Sequence, residues 1–138
     1  MTDEMKRNNK KVLCIDSDPD FLDYQEEKLE NEELGNYFFP FNDFRKALQF
    51  IEKQIISNNE KLHYILLDEE ITGERLTRSL ERISGLKSFL NRPEVIVCTR
   101  SNSDELRNQV MQYPFVSAFL VKPIPPNYIE FLITGNFD

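Results

Sequence analysis

Four polar side chains, each at the end of a short apolar run, are the residues of this sequence best suited to chemistry. They are Asp16 after residues 12–15, Asp68 after residues 62–67, Thr99 after residues 95–98, and Lys122 after residues 116–121. Two carboxylates held close together attract a hard divalent cation such as Mg²⁺. A carboxylate can also take up a phosphoryl group as a nucleophile, while a lysine, a hydroxyl and Mg²⁺ stabilise the transferred group. The four residues together could therefore hold a divalent cation and accept a phosphoryl group on a carboxylate.

Five predicted strands position these residues. Short apolar runs bounded by charge are typical of buried parallel strands, and here they alternate with helical patterns. The predicted strands are residues 12–15, 37–41, 62–67, 95–98 and 116–121. This alternation predicts an α/β fold, a five-stranded parallel sheet with helices on both faces. Pro40 cannot donate to a strand ladder, so the second strand should lie at an edge, as in the flavodoxin-like order 2-1-3-4-5.

Turn and capping residues predict where the helices begin and end. Asp18 and Pro19 start the first helix, which should run to about Glu33 and stop at Gly35. Asn42 or Asp43 should cap the second helix, whose apolar face is formed by Phe44, Ala47, Leu48, Ile51 and Ile55. A third helix should run from Leu76 to Leu90, with an interruption near Gly85. A capping box of Asn102 and Glu105 precedes a fourth helix that ends at Pro114, and a last helix should include Ile129, Phe131 and Leu132. In an open α/β sheet, ligands bind beyond the carboxyl ends of the strands. Asp16, Asp68, Thr99 and Lys122 should therefore share one rim.

Composition narrows the class of protein. The chain has 138 residues, enough for one domain, and its net charge of −7 argues against general nucleic-acid binding. No apolar run approaches the roughly 20 residues of a membrane span, and the polar residues 1–11 contain no secretory signal. We expect a flexible N-terminal tail over residues 1–10, one domain over residues 11–138, and a cytoplasmic location.

The cysteines and the histidine offer little further chemistry. Cys14 and Cys98 each lie inside an apolar run and fit no zinc spacing, so they are expected to be buried thiols. His63 is the only histidine, which excludes a site built from two histidines of one chain. It lies at the entry to the third strand and receives no functional role.

The strand-end motifs resemble the receiver domain of two-component response regulators. They are residues 12–19 (VLCIDSDP), residues 65–68 (ILLD) with Gly73 five residues later, residues 95–99 (VIVCT) and residues 119–123 (FLVKP). The separations from Asp16 to Asp68, from Asp68 to Thr99 and from Thr99 to Lys122 are 52, 31 and 23 residues, as in that family. The resemblance extends from Lys11 to about Leu132. It implies a flavodoxin-like receiver fold and a role in phosphorelay signal transduction.

The resemblance implies a role for each site residue. Asp68 would be the phosphoacceptor, taking its phosphoryl group from a sensor histidine kinase or a histidine phosphotransfer protein. Asp16, Asp68 and the backbone carbonyl of Glu70 would hold Mg²⁺, while Thr99 and Lys122 would bind the phosphoryl oxygens. Such a domain is a phosphoacceptor that can dephosphorylate itself, and not an enzyme acting on other substrates.

The resemblance also implies a switch. Phe119 would be the switch aromatic, turning inward when Thr99 moves toward the phosphate. The Lys122–Pro123 bond would be cis, which X-Pro bonds tolerate at a cost of about 1 kcal/mol. A downstream protein target would read the face formed by the fourth helix, the fifth strand and the fifth helix.

Three residues depart from the family pattern. Ser17 stands where a second acid is usual, and a neutral hydroxyl is a poorer Mg²⁺ ligand; Asp18 is either a substitute ligand or only the helix cap. Arg100 stands where a small residue is usual, and it either pairs with Glu70 as a gate over the phosphate pocket or points to solvent. Thr72 replaces a common proline before Gly73, which should loosen that loop.

Alternative functions remain at this point. Ser17 and Arg100 would be consistent with a degenerate receiver, a protein-interaction module that works without phosphorylation. The D-x-D pattern of residues 16–18 also occurs in phosphohydrolases of the haloacid-dehalogenase kind, but these need an acidic pair after the lysine. Here only Glu130 and Asp138 follow Lys122, and they are not adjacent. The chain is expected to be a stand-alone receiver or a fragment of a longer protein.

Overall fold

Strands and helices alternate along the chain in a computed structural model, which describes residues 8–72, 76–86 and 92–135. The strands are β1 (Val12–Ile15), β2 (Phe38–Phe41), β3 (Tyr64–Asp68), β4 (Glu94–Thr99) and β5 (Val116–Val121). The helices are α1 (Pro19–Asn31), α2 (Phe44–Phe50), α3 (Leu76–Gly85), α4 (Asp104–Val110) and α5 (Tyr128–Thr134). A π-helical stretch, Ile51–Ile56, continues α2, and 3-10 turns cover Gly35–Tyr37 and Glu69–Thr72.

The five strands form one parallel sheet in the order β2-β1-β3-β4-β5. The predicted fold class and strand order are therefore confirmed. β2 lies at an edge and pairs with β1 alone, with Pro40 opposite Cys14. An edge tolerates the proline because only one side of the strand needs backbone donors.

Successive side chains of the central strands point to opposite faces and build two cores. Leu13 and Ile15 of β1 face a core completed by α2, α3 and α4. Val12 and Cys14 face a second core, to which α1 contributes Leu22 and Leu29 and α5 contributes Ile129, Leu132 and Ile133. Helices thus cover both faces, and the carboxyl edge of the sheet is held between two packed layers.

Side-chain caps start the first two helices as predicted. The Asp18 carboxylate accepts hydrogen bonds from the backbone N–H groups of Asp20 and Phe21, with Pro19 at the first helical position. The Asp43 carboxylate accepts from the N–H of Lys46 at the start of α2. These carboxylates satisfy amide groups that have no partner within the helix.

Three predicted helix boundaries were wrong. α1 ends at Asn31 rather than near Glu33, and Glu33, not Gly35, adopts the left-handed conformation with φ 62°. Ser103 rather than Asn102 caps α4, since its hydroxyl accepts from the N–H of Leu106. α4 ends at Val110 and not at Pro114. Turn hydrogen bonds follow the helix instead, from the N–H of Tyr113 to the carbonyl of Val110 and from the N–H of Val116 to the carbonyl of Tyr113.

The strands differ from their predicted limits in ways that matter for the site. β3 starts at Tyr64 rather than Leu62, but it includes Asp68 as its last residue, and β4 likewise includes Thr99. Both side chains are therefore oriented by sheet backbone rather than by a loop. Residues 1–7, Gly73, Leu90 and Asp138, which also carried predictions, lie outside the described residues. Within the described residues, no helix is long and apolar enough to cross a bilayer.

Both cysteines are free and buried, as predicted. Burial raises the pKa of the Cys98 thiol to about 12, and it raises the pKa of Cys14 well above its usual value. Thiols with such pKa values stay protonated at neutral pH and are poor nucleophiles. Cys14 and Cys98 act as core residues.

His63 has a structural role just before β3. Its Nδ1 accepts a hydrogen bond of 2.9 Å from the backbone N–H of Lys11, so this nitrogen carries no proton. Burial lowers the pKa of His63, and the nearby charges of Lys61, Lys10 and Lys11 lower it further. The folded protein therefore favours the neutral imidazole.

This lowered pKa predicts a pH dependence of stability. The unfolded chain binds a proton at His63 more readily than the folded chain, so stability should fall as the pH falls below about 6.5, the unfolded value. We expect the free energy of unfolding of the wild type, measured by urea denaturation, to decrease from pH 7.5 to pH 5.5. His63→Asn keeps a hydrogen-bond acceptor that does not titrate. The difference in free energy of unfolding between the wild type and this variant should therefore shrink as the pH falls. A difference that stays constant with pH would contradict this role.

Candidate functional site

The carboxyl edge of the sheet brings together all four residues singled out by their position after apolar runs. Asp68 and Thr99 end β3 and β4, and Asp16 and Lys122 follow β1 and β5. Two backbone bonds hold the flanking residues in line with the sheet: the N–H of Asp16 donates to the carbonyl of Phe41 at 2.9 Å, and the N–H of Lys122 donates to the carbonyl of Thr99 at 2.7 Å. Asp16, Asp68 and Thr99 are 2%, 1% and 0% exposed.

A lysine ammonium joins the two buried carboxylates. The Nζ of Lys122 lies 3.2 Å from Asp16 Oδ2 and 3.2 Å from Asp68 Oδ2. Isolated carboxylates in such a place would be strongly destabilising, whereas paired and hydrogen-bonded ones are tolerated. The three groups still carry a net charge of −1, because one ammonium faces two carboxylates.

Ser17 contacts Asp68 directly. Its backbone N–H and its hydroxyl both donate to Asp68 Oδ2, at 3.0 Å and 2.8 Å. The other oxygen, Oδ1, accepts from the N–H of Glu70 at 3.2 Å. Ser17 therefore orients the Asp68 carboxylate, a contact that its place in the sequence did not predict.

These contacts set the protonation states. Burial acts to raise the pKa of Asp68, but the hydrogen bonds from Ser17 and Glu70, together with Lys122, hold the pKa of this carboxyl below its usual range. Burial and the neighbouring Asp68 raise the pKa of Asp16, against the opposing effects of the Asp18 N–H and Lys122. Burial acts to lower the pKa of Lys122, while Asp16 and Asp68 raise it above its usual range. At neutral pH, Asp68 is thus an ionised carboxylate beside a charged ammonium.

The Thr99 hydroxyl is hydrogen-bonded both as a donor and as an acceptor. The hydroxyl donates to the carboxylate of Glu69, the residue after Asp68. It also accepts the backbone N–H of Ser101 at 3.1 Å. The Thr99 side chain is therefore engaged within the protein itself.

The donor set suits a divalent cation such as Mg²⁺. Asp16 and Asp68 supply carboxylate oxygens at a site with excess negative charge, and Mg²⁺ commonly takes one or two carboxylates together with waters and phosphate oxygens. In the described ranges, no three or more acid, histidine or cysteine side chains gather closely enough to hold a metal ion by themselves. Asp18 is occupied at its Oδ1 by the cap of α1, which competes with the alternative that Asp18 is a ligand.

An open cavity of about 470 Å³ lies over the site. Its walls are formed by Asp16, Asp18, Phe21, Arg100, Lys122, Pro123 and Ile124. The Nε of Arg100 lies 3.7 Å from Glu70 Oε2, and their side chains are 66% and 43% exposed. An ion pair this open to solvent stabilises the fold little, and it can break readily.

Solved structures that resemble this chain have the same architecture. No family model and no curated protein matches the chain. The signal receiver domain of a putative LuxO repressor protein from Vibrio parahaemolyticus is 22% identical, with a TM-score of 0.66, over 88% of this chain and 85% of that one. A CheY-like response regulator receiver domain protein from Methanospirillum hungatei JF-1 is 24% identical, with a TM-score of 0.64, over 88% of each chain.

A third solved structure is a response regulator protein from Burkholderia pseudomallei that contains a phosphorylated aspartic acid, a calcium ion and citrate. It is 20% identical, with a TM-score of 0.65, over 91% of this chain and 66% of that one. The chain has the receiver fold. The α/β class and the order 2-1-3-4-5 inferred from the sequence agree with these structures.

Two further residues of the receiver fold have defined positions. Phe119 is partly buried against the core of α2, α3 and α4, and the guanidinium of Arg107 lies 5.1 Å from its ring centroid. The Lys122–Pro123 peptide bond is cis. Nothing in the sequence indicated a role for Arg107. Its contact with Phe119 links α4 to the aromatic ring on β5.

Sequence reasoning did not find Ser17 and Glu69 as contact residues. Ser17 was noted only as a missing acid, and Glu69 only as one of three consecutive acids. Their side chains reach Asp68 and Thr99, which lie 51 and 30 positions further along the chain. The only signal for these contacts in the sequence was that Ser17 directly follows Asp16 and Glu69 directly follows Asp68. Such a position does not show in which direction a side chain points.

The role of Lys122 predicts a strong effect on stability. Lys122→Met would leave two buried carboxylates without their ammonium, and removing one partner of a buried ion pair costs about 3 kcal/mol. We expect that loss in the free energy of unfolding at pH 7, measured by urea denaturation without added metal. Lys46→Met, at an exposed lysine of α2, is the control and should change stability by less than about 0.5 kcal/mol. Equal losses in the two variants would contradict the role of Lys122.

Proposed function

We propose that this receiver domain, over residues 11–138, accepts a phosphoryl group on Asp68 in a cytoplasmic two-component or phosphorelay system. The observation that carries the proposal is the buried, ionised Asp68 carboxylate, 3.2 Å from the Lys122 ammonium. The donor would be a histidine of a sensor kinase or of a histidine phosphotransfer protein. The open cavity over Asp16 and Lys122 supports this proposal because a protein partner needs access to that rim.

The step is a displacement at phosphorus. An Asp68 oxygen attacks the phosphorus of the donor, the bond between phosphorus and the histidine nitrogen breaks, and its electron pair stays on the imidazole. Lys122 is close enough to Asp68 to donate to the transferred oxygens, and donors aimed at developing charge are the main source of catalysis in such transfers. Autodephosphorylation would follow when water attacks the same phosphorus.

Asp16, Asp68 and the backbone carbonyl of Glu70 would hold Mg²⁺, which neutralises charge on the transferred group. The phosphorylated aspartic acid and the calcium ion in the Burkholderia pseudomallei protein support this assignment. Thr99 would bind a phosphoryl oxygen, and Phe119 would turn inward behind it. A downstream protein would then read the face of α4, β5 and α5, as a shift in an existing equilibrium.

A degenerate receiver is the second candidate, and one observation favours it. Ser17 and Lys122 already place three hydrogen-bond donors on Asp68 Oδ2, and Glu69 already accepts the Thr99 hydroxyl. The site is satisfied without a phosphoryl group. In that case, the domain would bind its partner in one fixed conformation.

Phosphorylation from a small donor separates the two candidates. After incubation with acetyl phosphate and Mg²⁺, we expect intact mass spectrometry to detect a single phosphoryl adduct. The adduct should be absent when Mg²⁺ is chelated and absent from Asp68→Asn. An adduct that needs both Mg²⁺ and Asp68 would also establish that Ser17 is tolerated. No adduct, even with a purified kinase or phosphotransfer partner, would favour the degenerate receiver.

The exposed ion pair of Arg100 and Glu70 would gate access to the phosphorylated site. Arg100→Ala removes the guanidinium that borders the cavity, so water should reach the aspartyl phosphate more easily. We expect its dephosphorylation rate to rise about threefold, equivalent to roughly 0.7 kcal/mol in the barrier. Arg45→Ala, at an exposed arginine of α2, serves as the control. Unchanged dephosphorylation in Arg100→Ala would remove the gating role.

A further inference from the structure

Glu69 has no role in the proposed phosphoryl transfer, yet its side chain is engaged at the centre of the site. It is partly buried in the 3-10 turn that follows β3, and its carboxylate accepts the hydroxyl proton of Thr99. The next acid, Glu70, is exposed and turns toward Arg100 instead. The side chains of these two consecutive acids therefore have different surroundings: that of Glu69 contacts Thr99, whereas that of Glu70 pairs with Arg100.

We infer that, in the unphosphorylated domain, the Glu69 carboxylate accepts the hydrogen bond from the Thr99 hydroxyl that a phosphoryl oxygen on Asp68 would otherwise accept. Phosphorylation of Asp68 must therefore displace Glu69 from Thr99. This inference rests on the proposed function. Glu69 would be a positioning residue, since it acts through Thr99 and not on the reacting atoms. It would set how readily the domain takes up a phosphoryl group and how strongly that uptake changes its conformation.

The hydrogen-bonding capacity of Thr99 makes the exchange necessary. A hydroxyl has one proton, so it can donate to one strong acceptor at a time. The Thr99 hydroxyl donates that proton to the Glu69 carboxylate, and its oxygen already accepts the N–H of Ser101 at 3.1 Å. Thr99 itself is fully buried, which prevents water from taking the place of either partner. A phosphoryl oxygen can thus gain the Thr99 proton only when Glu69 releases it.

Charge favours the same exchange. Glu69 directly follows Asp68, and a phosphoryl group on Asp68 would bring further negative charge to the same edge of the sheet. Like charges at close range repel, and the repulsion is strongest where water is excluded. Glu69 therefore opposes uptake of the phosphoryl group, and it is driven away from Thr99 once the group is bound.

Displacement of Glu69 would move more than one side chain. Glu69 begins the turn Glu69–Thr72, in which Ile71 packs against the core of α2, α3 and α4. Release of the Thr99 contact would therefore loosen this turn as well as the loop after β4. Phosphorylation would thus change the surface at the loop after β3, in addition to the face of α4, β5 and α5.

Two substitutions separate the hydrogen bond of Glu69 from its charge. Glu69→Gln keeps an oxygen that accepts the Thr99 hydroxyl but removes the charge, whereas Glu69→Ala removes both. Glu27→Ala removes one exposed negative charge from α1 and is the matched control. Adduct formation is followed over time by intact mass, with acetyl phosphate as the donor and Mg²⁺ in excess, and far-UV circular dichroism checks that each variant is folded.

We expect Glu69→Ala to take up the phosphoryl group roughly tenfold faster than the wild type, and Glu69→Gln to lie between them. Glu27→Ala should match the wild type. In a Thr99→Val background, Glu69→Ala and Glu69→Gln should give equal rates, because no hydroxyl remains to be held. A phosphoryl adduct on Glu69→Ala with none on the wild type would also support the inference.

A second measurement needs no phosphoryl group. In unphosphorylated protein labelled with ¹⁵N, the amide resonances of Thr99 and Ser101 should shift in Glu69→Ala, change much less in Glu69→Gln, and stay in place in Glu27→Ala. Absence of any difference between Glu69→Ala and Glu27→Ala in these resonances would overturn the contact.

The outcomes distinguish this inference from the proposed function. If the wild type is phosphorylated and every Glu69 variant reacts within twofold of it, the inference is wrong while the proposed function stands. If neither the wild type nor any Glu69 variant forms an adduct, with acetyl phosphate or with a purified kinase or phosphotransfer partner, the proposed function fails, and the inference that rests on it fails with it.

Discussion

The carboxyl edge of the sheet depends on one ammonium group between two buried carboxylates. Asp16 and Asp68 are almost fully enclosed, and ionised groups in such surroundings are stable only when opposite charge and hydrogen bonds compensate for lost hydration. Lys122 provides that charge from a position 106 residues after Asp16. The ion cluster therefore requires β1, β3 and β5 to end at the same edge, and it connects the first strand of the domain to the last.

Hydrogen bonds from neighbouring residues complete this arrangement. Ser17 donates twice to Asp68, the N–H of Glu70 donates to its other oxygen, and the N–H of Asp18 donates to Asp16. Low dielectric strengthens such bonds and makes an unpartnered polar group costly. The protein's own donors therefore contact both oxygens of the Asp68 carboxylate and both oxygens of the Asp16 carboxylate.

The segment after β1 links the ion cluster to the helical layer. The backbone N–H of Asp18 binds the carboxylate of Asp16 at 2.9 Å, while the carboxylate of Asp18 binds the first amides of α1. One residue thus serves the site with its backbone and the helix with its side chain. Since α1 packs against the second core through Leu22 and Leu29, Asp18 connects the ion cluster to that layer.

The alternation of apolar runs with helical patterns was sufficient to predict the parallel sheet, and the flavodoxin-like strand order was favoured because it places the strand that contains Pro40 at an edge. Pro40 placed β2 at an edge because proline lacks a donor, and Asp18, Pro19 and Asp43 marked helix starts because capping is a local interaction. The end of α4 had no such local signal, because the helix stops at Val110, four residues before Pro114. Gly35 was misjudged because the left-handed position fell on Glu33 instead.

The sequence by itself determined which residue types stand at the strand ends, since each follows an apolar run that has to be buried. Tertiary structure alone decided which of them touch: Ser17 and Lys122 on Asp68, Glu69 on Thr99, and Arg107 on Phe119. Side-chain directions in a buried ionic cluster follow from balancing charge and filling hydrogen-bond capacity among residues up to 106 positions apart. That balance exists only after the sheet has assembled, so no local pattern in the chain contains it.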